Sequence, residues 1–98
     1  MKAILINTPQ GQYVLPAHYV AEHKARYFAD VDQYTLKSQV YKDEVSRYMS
    51  YPEDLIIWLI TETDWSEWVN VAEKTSNDIL VTDKEFWSNL NDFKIINI

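Results

Sequence analysis

The side chains that most often carry chemistry in proteins are sparse in this chain. Its two histidines, His18 and His23, would point about 140° away from each other on a helix. A helical zinc pair needs i, i+4 spacing, and although His18 and Glu22 have it, no third ligand lies nearby in the sequence. We therefore interpret both histidines as surface or rim residues.

The acidic pairs are the next candidates, because paired carboxylates can bind a divalent cation or perform acid–base catalysis. None has the spacing of a calcium loop, which also needs a glycine at its sharp turn. With a single glycine and no cysteine, the chain has neither a phosphate-cradling loop nor a thiolate, and it contains no GxSxG motif. The sequence predicts a protein that is not an enzyme and that holds no metal or cofactor. The pairs are Asp30/Asp32, Asp43/Glu44, Glu53/Asp54 and Glu62/Asp64.

Charge is distributed unevenly along the chain. The net charge is −6, and no lysine or arginine occurs between Arg47 and Lys74. Direct binding of nucleic acid requires a Lys/Arg footprint, so this balance argues against it and favours a basic protein partner. Solubility alone is the plainer explanation of the charge.

Aromatic residues make up 14% of the chain, and two tryptophans flank a polar turn inside the base-free stretch. Tryptophan beside carboxylates is typical of a binding hot spot for a basic protein, although large rings also fill small cores efficiently. The predicted partner-binding residues are Glu53, Asp54, Glu62, Asp64, Trp65, Glu67 and Trp68.

The chain begins with a predicted β-hairpin. Two apolar runs, Lys2–Asn7 and Gln12–Leu15, enclose the turn residues Thr8-Pro9-Gln10-Gly11. Pro16 then suits a first helical position, and the apolar residues of Ala17–Ala29 fall on one arc, which predicts an amphipathic helix.

Two more helices are predicted before the polar turn. The tyrosines of Gln33–Met49 (Tyr34, Tyr41 and Tyr48) form one apolar stripe, and an aspartate of Asp30–Asp32 is expected to cap this helix. Pro52, Glu53 and Asp54 are typical of a helix first turn, so we interpret the apolar run Leu55–Ile60 as helix, although its periodicity also allows a buried strand.

The remaining elements complete an α+β domain covering residues 1–98. We expect a capped turn over Thr63–Glu67, then a strand over Trp68–Thr75 that joins the hairpin. Residues 79–81 are predicted to be extended. Thr82 with Glu85 predicts the start of a short helix, and Lys94–Ile98 is predicted to form a last strand. The predicted fold is a small antiparallel sheet packed with about three helices.

The distribution of apolar residues does not predict a membrane location. Met1-Lys2 is followed by too few apolar residues for a signal peptide, and the longest apolar run, Leu55–Ile60, is far short of a membrane span. We expect a cytoplasmic protein.

The helix sequence from Leu15 to Ala29 and the later Asp64-Trp65-Ser66 turn carry a family resemblance. Together with the hairpin opening, the pattern P-A-x-x-V-A-E-x-x-A-x-Y-(Y/F)-A resembles small acidic proteins encoded by phages and cyanobacteria, over residues 10–74. The resemblance implies an origin in a mobile element and carries no functional residue with it. Small acidic viral proteins include anti-CRISPR proteins and DNA mimics, which inhibit host defence.

These observations favour a non-enzymatic interaction module, of the phage inhibitor type, that binds a basic and nucleic-acid-binding host protein. The alternative is a small-ligand or nucleotide sensor in which Tyr41, Tyr48 or Trp58 stacks on the ligand. Homo-oligomerisation through the sheet edge or the tyrosine face is a further alternative.

Overall fold

The computed structural model describes residues 1–33, 35, 38–76, 87 and 92–98. The elements are β1 (Lys2–Thr8), β2 (Gly11–Pro16), α1 (Ala17–Asp32), α2 (Gln39–Ser50), α3 (Pro52–Glu62), a 3₁₀ helix (Trp65–Glu67), β3 (Glu73–Ser76) and β4 (Phe93–Asn97). The strands form an antiparallel sheet in the order β3-β2-β1-β4. This confirms the predicted α+β class.

The predicted hairpin is present with a tight connection. β1 pairs with β2 from Ala3↔Pro16 to Thr8↔Gly11. The hydroxyl of Thr8 donates to the carbonyl of Gly11 at 2.8 Å and accepts from the backbone of Gln10 at 3.1 Å. Gly11 has φ 135°, a conformation that a side chain would disfavour, so the only glycine of the chain lies where the turn requires it.

Helix α1 packs its small side chains toward the core. Ala17, Val20, Ala21 and Ala25 are all fully buried, and alanine brings the helix close to its neighbours. The helix runs past its predicted end at Ala29 to Asp32, where Gln33 takes a left-handed conformation with φ 58°.

Helix α2 begins later than predicted, and a different residue caps it. Ser38 accepts from the backbone N–H of Tyr41 at 3.2 Å, so the expected cap within Asp30–Asp32 is wrong, because those residues continue α1. Tyr41 and Tyr48 pack against the core as the stripe predicted, while Tyr34 lies outside the described residues.

Helix α3 confirms the helical interpretation of the apolar run. Pro52 occupies its first turn with Glu53 and Asp54, and Leu55 and Leu59 are fully buried. One residue of the run departs from the expected burial, since Ile57 is 51% exposed.

The third strand is shorter than predicted. Residues after Trp65 continue in turns, with the N–H groups of Val69 and Ala72 bonded to the carbonyls of Trp65 and Trp68. These short-range bonds occupy the backbone groups that a strand from Trp68 would need, so pairing with β2 begins only at Glu73.

Strand β4 confirms the predicted last strand and pairs with β1. The extended stretch 79–81 and the short helix predicted from Thr82 lie outside the described residues, apart from Trp87, whose φ of 71° is left-handed rather than helical. Within the described ranges, no helix has both the length and the hydropathy needed to cross a membrane.

Candidate functional site

The predicted acidic residues lie along one helix and the turn that follows it. We call Glu53, Asp54, Glu62, Asp64 and Glu67 the acidic face, since all five are exposed. Glu53 and Asp54 stand in the first turn of α3 and Glu62 at its end, about 13 Å away along the axis. The five residues are therefore spread over a surface rather than gathered in one cluster.

Two members of the acidic face also have structural roles. Asp64 and Glu67 form the predicted capping box of the 3₁₀ helix, in which Glu67 Oε2 accepts from the Asp64 backbone at 2.7 Å. The other Glu67 oxygen lies 3.6 Å from His23 Nε2. Glu53, Asp54 and Glu62, by contrast, make no salt bridge within the part of the chain that the structure describes.

The two tryptophans of the predicted site differ in how far they are buried. Trp68 is only 5% exposed, and its indole N–H donates to Thr63 Oγ1 at 2.9 Å. Its ring is therefore part of the core, and the expectation that it anchors a partner at the surface is wrong. Trp65 is half-buried, with its ring at 5.0 Å from Tyr13 and 5.7 Å from Trp87.

His23 occupies a position that its local sequence does not reveal. Its Nδ1 accepts from the indole N–H of Trp58 at 3.1 Å, and its ring lies 5.2 Å from that of Trp68. The contact with Trp58 joins residues from α1 and α3, so only the tertiary fold could have identified it. Across the described residues, no group of three or more potential metal ligands forms.

A cavity of about 410 Å³ lies among α1, α2 and α3. Its volume is within the usual range of ligand sites, roughly 300–1,000 Å³. Of the aromatics proposed for a ligand pocket, Tyr48 lines this cavity, while Trp58 lines an adjoining hollow of about 260 Å³ and Tyr41 lines neither. The cavity is lined by Lys24, Phe28, Asp32, Glu44, Arg47, Tyr48, Tyr51, Asp54 and Leu55.

Two of the protein's own cations surround Tyr48 in this cavity. The Lys24 ammonium lies 4.5 Å from the centre of the Tyr48 ring and 5.7 Å from that of Trp58. The Arg47 guanidinium lies 5.2 Å from the Tyr48 ring and pairs with Glu44. The ring is thus already a cation–π acceptor.

Burial, charges and hydrogen bonds shift the pKa values of Tyr48 and of its neighbour Glu44. Burial, followed by its hydrogen bond to Glu44, raises the pKa of Tyr48 from 10.0 to about 12. For Glu44 burial acts upward, but the bonds from Tyr48 and Arg47 outweigh it, so that its pKa lies below the ordinary value. Glu44 is therefore negatively charged, and its charge is balanced by Arg47 of the same helix.

The solvent side of α3 carries exposed apolar surface as well as acids. Ile57 is 51% exposed and lies one turn after Glu53, on the same side of the helix. Tyr51, directly before α3, is 63% exposed. An exposed isoleucine and tyrosine among carboxylates is a feature that sequence reasoning missed, because the run Leu55–Ile60 was expected to be buried as a whole.

Comparison of the chain with protein-family models, with curated proteins and with solved structures finds no significant match. The resemblance to small acidic phage and cyanobacterial proteins therefore stays a prediction.

Proposed function

We propose that this protein is a non-enzymatic interaction module that binds a basic protein through its acidic face. The observation that carries the proposal is the exposed stripe of α3. There Glu53 and Asp54 lie about one turn before the exposed Ile57, and Asp54, Ile57 and Glu62 line the same shallow hollow. None of the three acids makes a salt bridge among the described residues.

The position of Glu62 supports a role outside folding. Negative charge at the start of a helix is stabilising, which explains Glu53 and Asp54. Glu62 stands at the opposite end of α3, where the helix dipole disfavours a carboxylate, and no basic residue accompanies it in the last turn. The stability of α3 therefore does not account for Glu62, and attraction of a basic partner is the role that we propose for it.

The surface has the two components that a specific interface needs. Carboxylates steer a positively charged partner and fix its orientation, while exposed apolar groups supply the area that is desolvated on contact. Ile57 and Tyr51 take the anchoring role expected of the buried Trp68. Nucleic-acid-binding proteins carry dense Lys/Arg surfaces and are the partner class that this chemistry fits best.

An inhibitor of such a protein is the form of this function that the family resemblance implies. Its carboxylates would occupy the sites that phosphates otherwise fill, and the base-free stretch 48–73 presents them without competing cations from the same segment. Catalysis has no part in this proposal.

The test compares two variants of equal charge. In the face variant Glu53→Gln, Asp54→Asn and Glu62→Gln remove three carboxylates, and in the control variant Asp30→Asn, Asp43→Asn and Glu73→Gln remove three exposed carboxylates elsewhere. Both change the net charge from −6 to −3 (−6 plus 3), which avoids the poor solubility of a neutral protein.

Each variant is immobilised and used to capture proteins from extract of the native host, followed by quantitative mass spectrometry. We expect one basic protein to be retained by the wild type and the control variant and to fall about tenfold or more on the face variant, as losing a charge-assisted contact predicts. Equal retention by the face variant, or an equal loss on the control variant, would show that the acidic face is not a specific surface.

A further inference from the structure

The mouth of the cavity among the three helices is negatively charged and aromatic. Asp32 and Asp54 are both exposed and make no salt bridge within the described chain, and they come from different helices, α1 and α3. Tyr51, which is 63% exposed, and the half-buried Phe28 line the same cavity. Asp54 also belongs to the acidic face, so the cavity opens onto that surface.

The balance of charge inside the cavity favours a single positive group. Glu44 and Arg47 cancel each other as an ion pair, which leaves Asp32 and Asp54 against Lys24. In addition, α1 ends at Asp32 without a basic residue in its last turn, so its negative dipole end is uncompensated there. Among the described residues that line the cavity, the net charge is therefore one negative unit, and the walls are aromatic, a combination that binds cations.

We propose that this cavity receives the guanidinium of an arginine side chain of the basic partner. This inference rests on the proposed function and assigns the partner's anchoring residue. The guanidinium forks between Asp32 and Asp54 and stacks on Tyr51, while the aliphatic part of the arginine covers Leu55.

Arginine fits this geometry better than lysine or an anion. A planar guanidinium donates in two directions at once and stacks on rings, whereas an ammonium is a compact, strongly hydrated charge. Tyr48 already accepts one guanidinium in the same cavity, that of Arg47 at 5.2 Å. A phosphate or carboxylate would lie against Asp32 and Asp54, which repel it.

The binding test uses three small probes and the whole protein, followed by ¹H–¹⁵N NMR. N-acetyl-arginine amide should shift the amide signals of Asp32, Tyr48, Tyr51 and Asp54 in a saturable manner. N-acetyl-citrulline amide has nearly the same shape without the charge and should bind about tenfold more weakly, since hydrogen bonds to charged groups are roughly twice as strong as neutral ones. Adenosine monophosphate tests the small-ligand alternative.

Three results would each overturn the proposal: equal binding of the citrulline probe, binding of adenosine monophosphate in place of arginine, or no shift at about 10 mM arginine probe, roughly ten times a dissociation constant of 1 mM.

Variants of the cavity separate a cation site from an anion site. Asp54→Asn and Tyr51→Ala alter exposed residues and should each weaken the arginine probe about five- to tenfold. Asp30→Asn removes a nearby exposed carboxylate that does not line the cavity and should leave binding unchanged.

Lys24→Met is the decisive variant, because it keeps the apolar stem and removes the like charge. It should strengthen arginine binding by about fivefold, as the loss of roughly 1 kcal/mol of Coulomb repulsion implies. An anion site would lose binding in the same variant, and that result would contradict the assignment.

The two proposals can fail separately. If the arginine probe binds but the face and control variants capture proteins equally, the cavity is a cation site and the acidic face is not an interface. If the face variant loses a basic partner but the probe does not bind, the interface stands and its anchor is not an arginine in this cavity.

Discussion

The segment from α3 to Trp68 builds two regions of opposite character. On its inner side Trp58, Thr63 and Trp68 form an indole network, in which both indole N–H groups have acceptors, His23 Nδ1 at 3.1 Å and Thr63 Oγ1 at 2.9 Å. On its outer side the acidic face leaves most of its carboxylates open to solvent. Burial and hydrogen bonding thus separate residues that hold the fold from residues available to a partner.

This difference has energetic consequences. Truncating a buried ring costs several kcal/mol, whereas changing an exposed charge usually alters stability by less than about 0.5 kcal/mol. The comparison therefore predicts that mutations in the indole network act on stability and that mutations of the acidic face act on binding.

Removing Trp68 should have the largest effect on stability. Trp68→Ala deletes a ring that is 5% exposed, and the free energy of unfolding should fall by about 3–5 kcal/mol in urea denaturation. Trp68→Phe, which keeps most of the ring area, should lose clearly less. A loss below about 1 kcal/mol for Trp68→Ala would mean that Trp68 is not a core residue.

The hydroxyl of Thr63 comes next. It donates to the Leu59 carbonyl at 2.7 Å and accepts from Trp68, so Thr63→Val leaves a buried indole N–H without its acceptor. We expect a loss of about 1–3 kcal/mol. In a Trp68→Phe background, which has no indole N–H, the same substitution should cost less, and an identical cost in both backgrounds would refute the hydrogen bond's role.

Tyr48 lines the cavity among the three helices, and its contribution to stability depends on pH. Because its pKa is raised from 10.0 to about 12, the fold favours the protonated phenol. The stability that this provides is complete below pH 10 and is lost as the pH rises from 10 to 12. Urea unfolding of wild type and Tyr48→Phe at several pH values should show the wild type losing its advantage in that window. A constant difference from pH 8 to 12 would exclude the shift.

Neutralising the acidic face should change stability least. Glu53→Gln and Asp54→Asn lose favourable dipole interactions of about 0.3–1 kcal/mol each, while Glu62→Gln relieves an unfavourable one. The combined face variant should therefore remain within roughly 1 kcal/mol of the wild type in thermal or urea unfolding. A loss comparable with that of Trp68→Ala would place these carboxylates among the residues that hold the fold.

Local patterns in the sequence predicted most of the architecture. Turn chemistry at Thr8–Gly11, helical periodicity in α1 and first-turn residues at Pro52 each act over a few residues, so the hairpin and helices could be read directly. The boundaries of the helices were harder to predict from the sequence. Ser38 rather than an aspartate caps α2, since Asp30–Asp32 were absorbed into α1 by its continuing backbone bonds.

The candidate site was less predictable because it depends on contacts between distant residues. The burial of Trp65 depends on its contact with Tyr13, and that of Trp68 on its hydrogen bond to Thr63. No local sequence pattern predicts how far either ring is buried. The cavity joins Asp32 with Asp54, which come together only when α1 and α3 pack. The uneven charge did identify the acidic segment, because the number of charged residues in a segment does not depend on how the chain folds.

Site-specific photo-crosslinking tests the acidic face most directly. A benzophenone amino acid replaces Ile57, which is 51% exposed on α3 and lines one hollow with Asp54 and Glu62, or Tyr19, which is 40% exposed on α1 and about 140° around that helix from Lys24. After irradiation in the native host, we expect a covalent adduct with one basic protein from position 57 and none from position 19. An adduct from position 19 alone, or equal adducts from both, would contradict it.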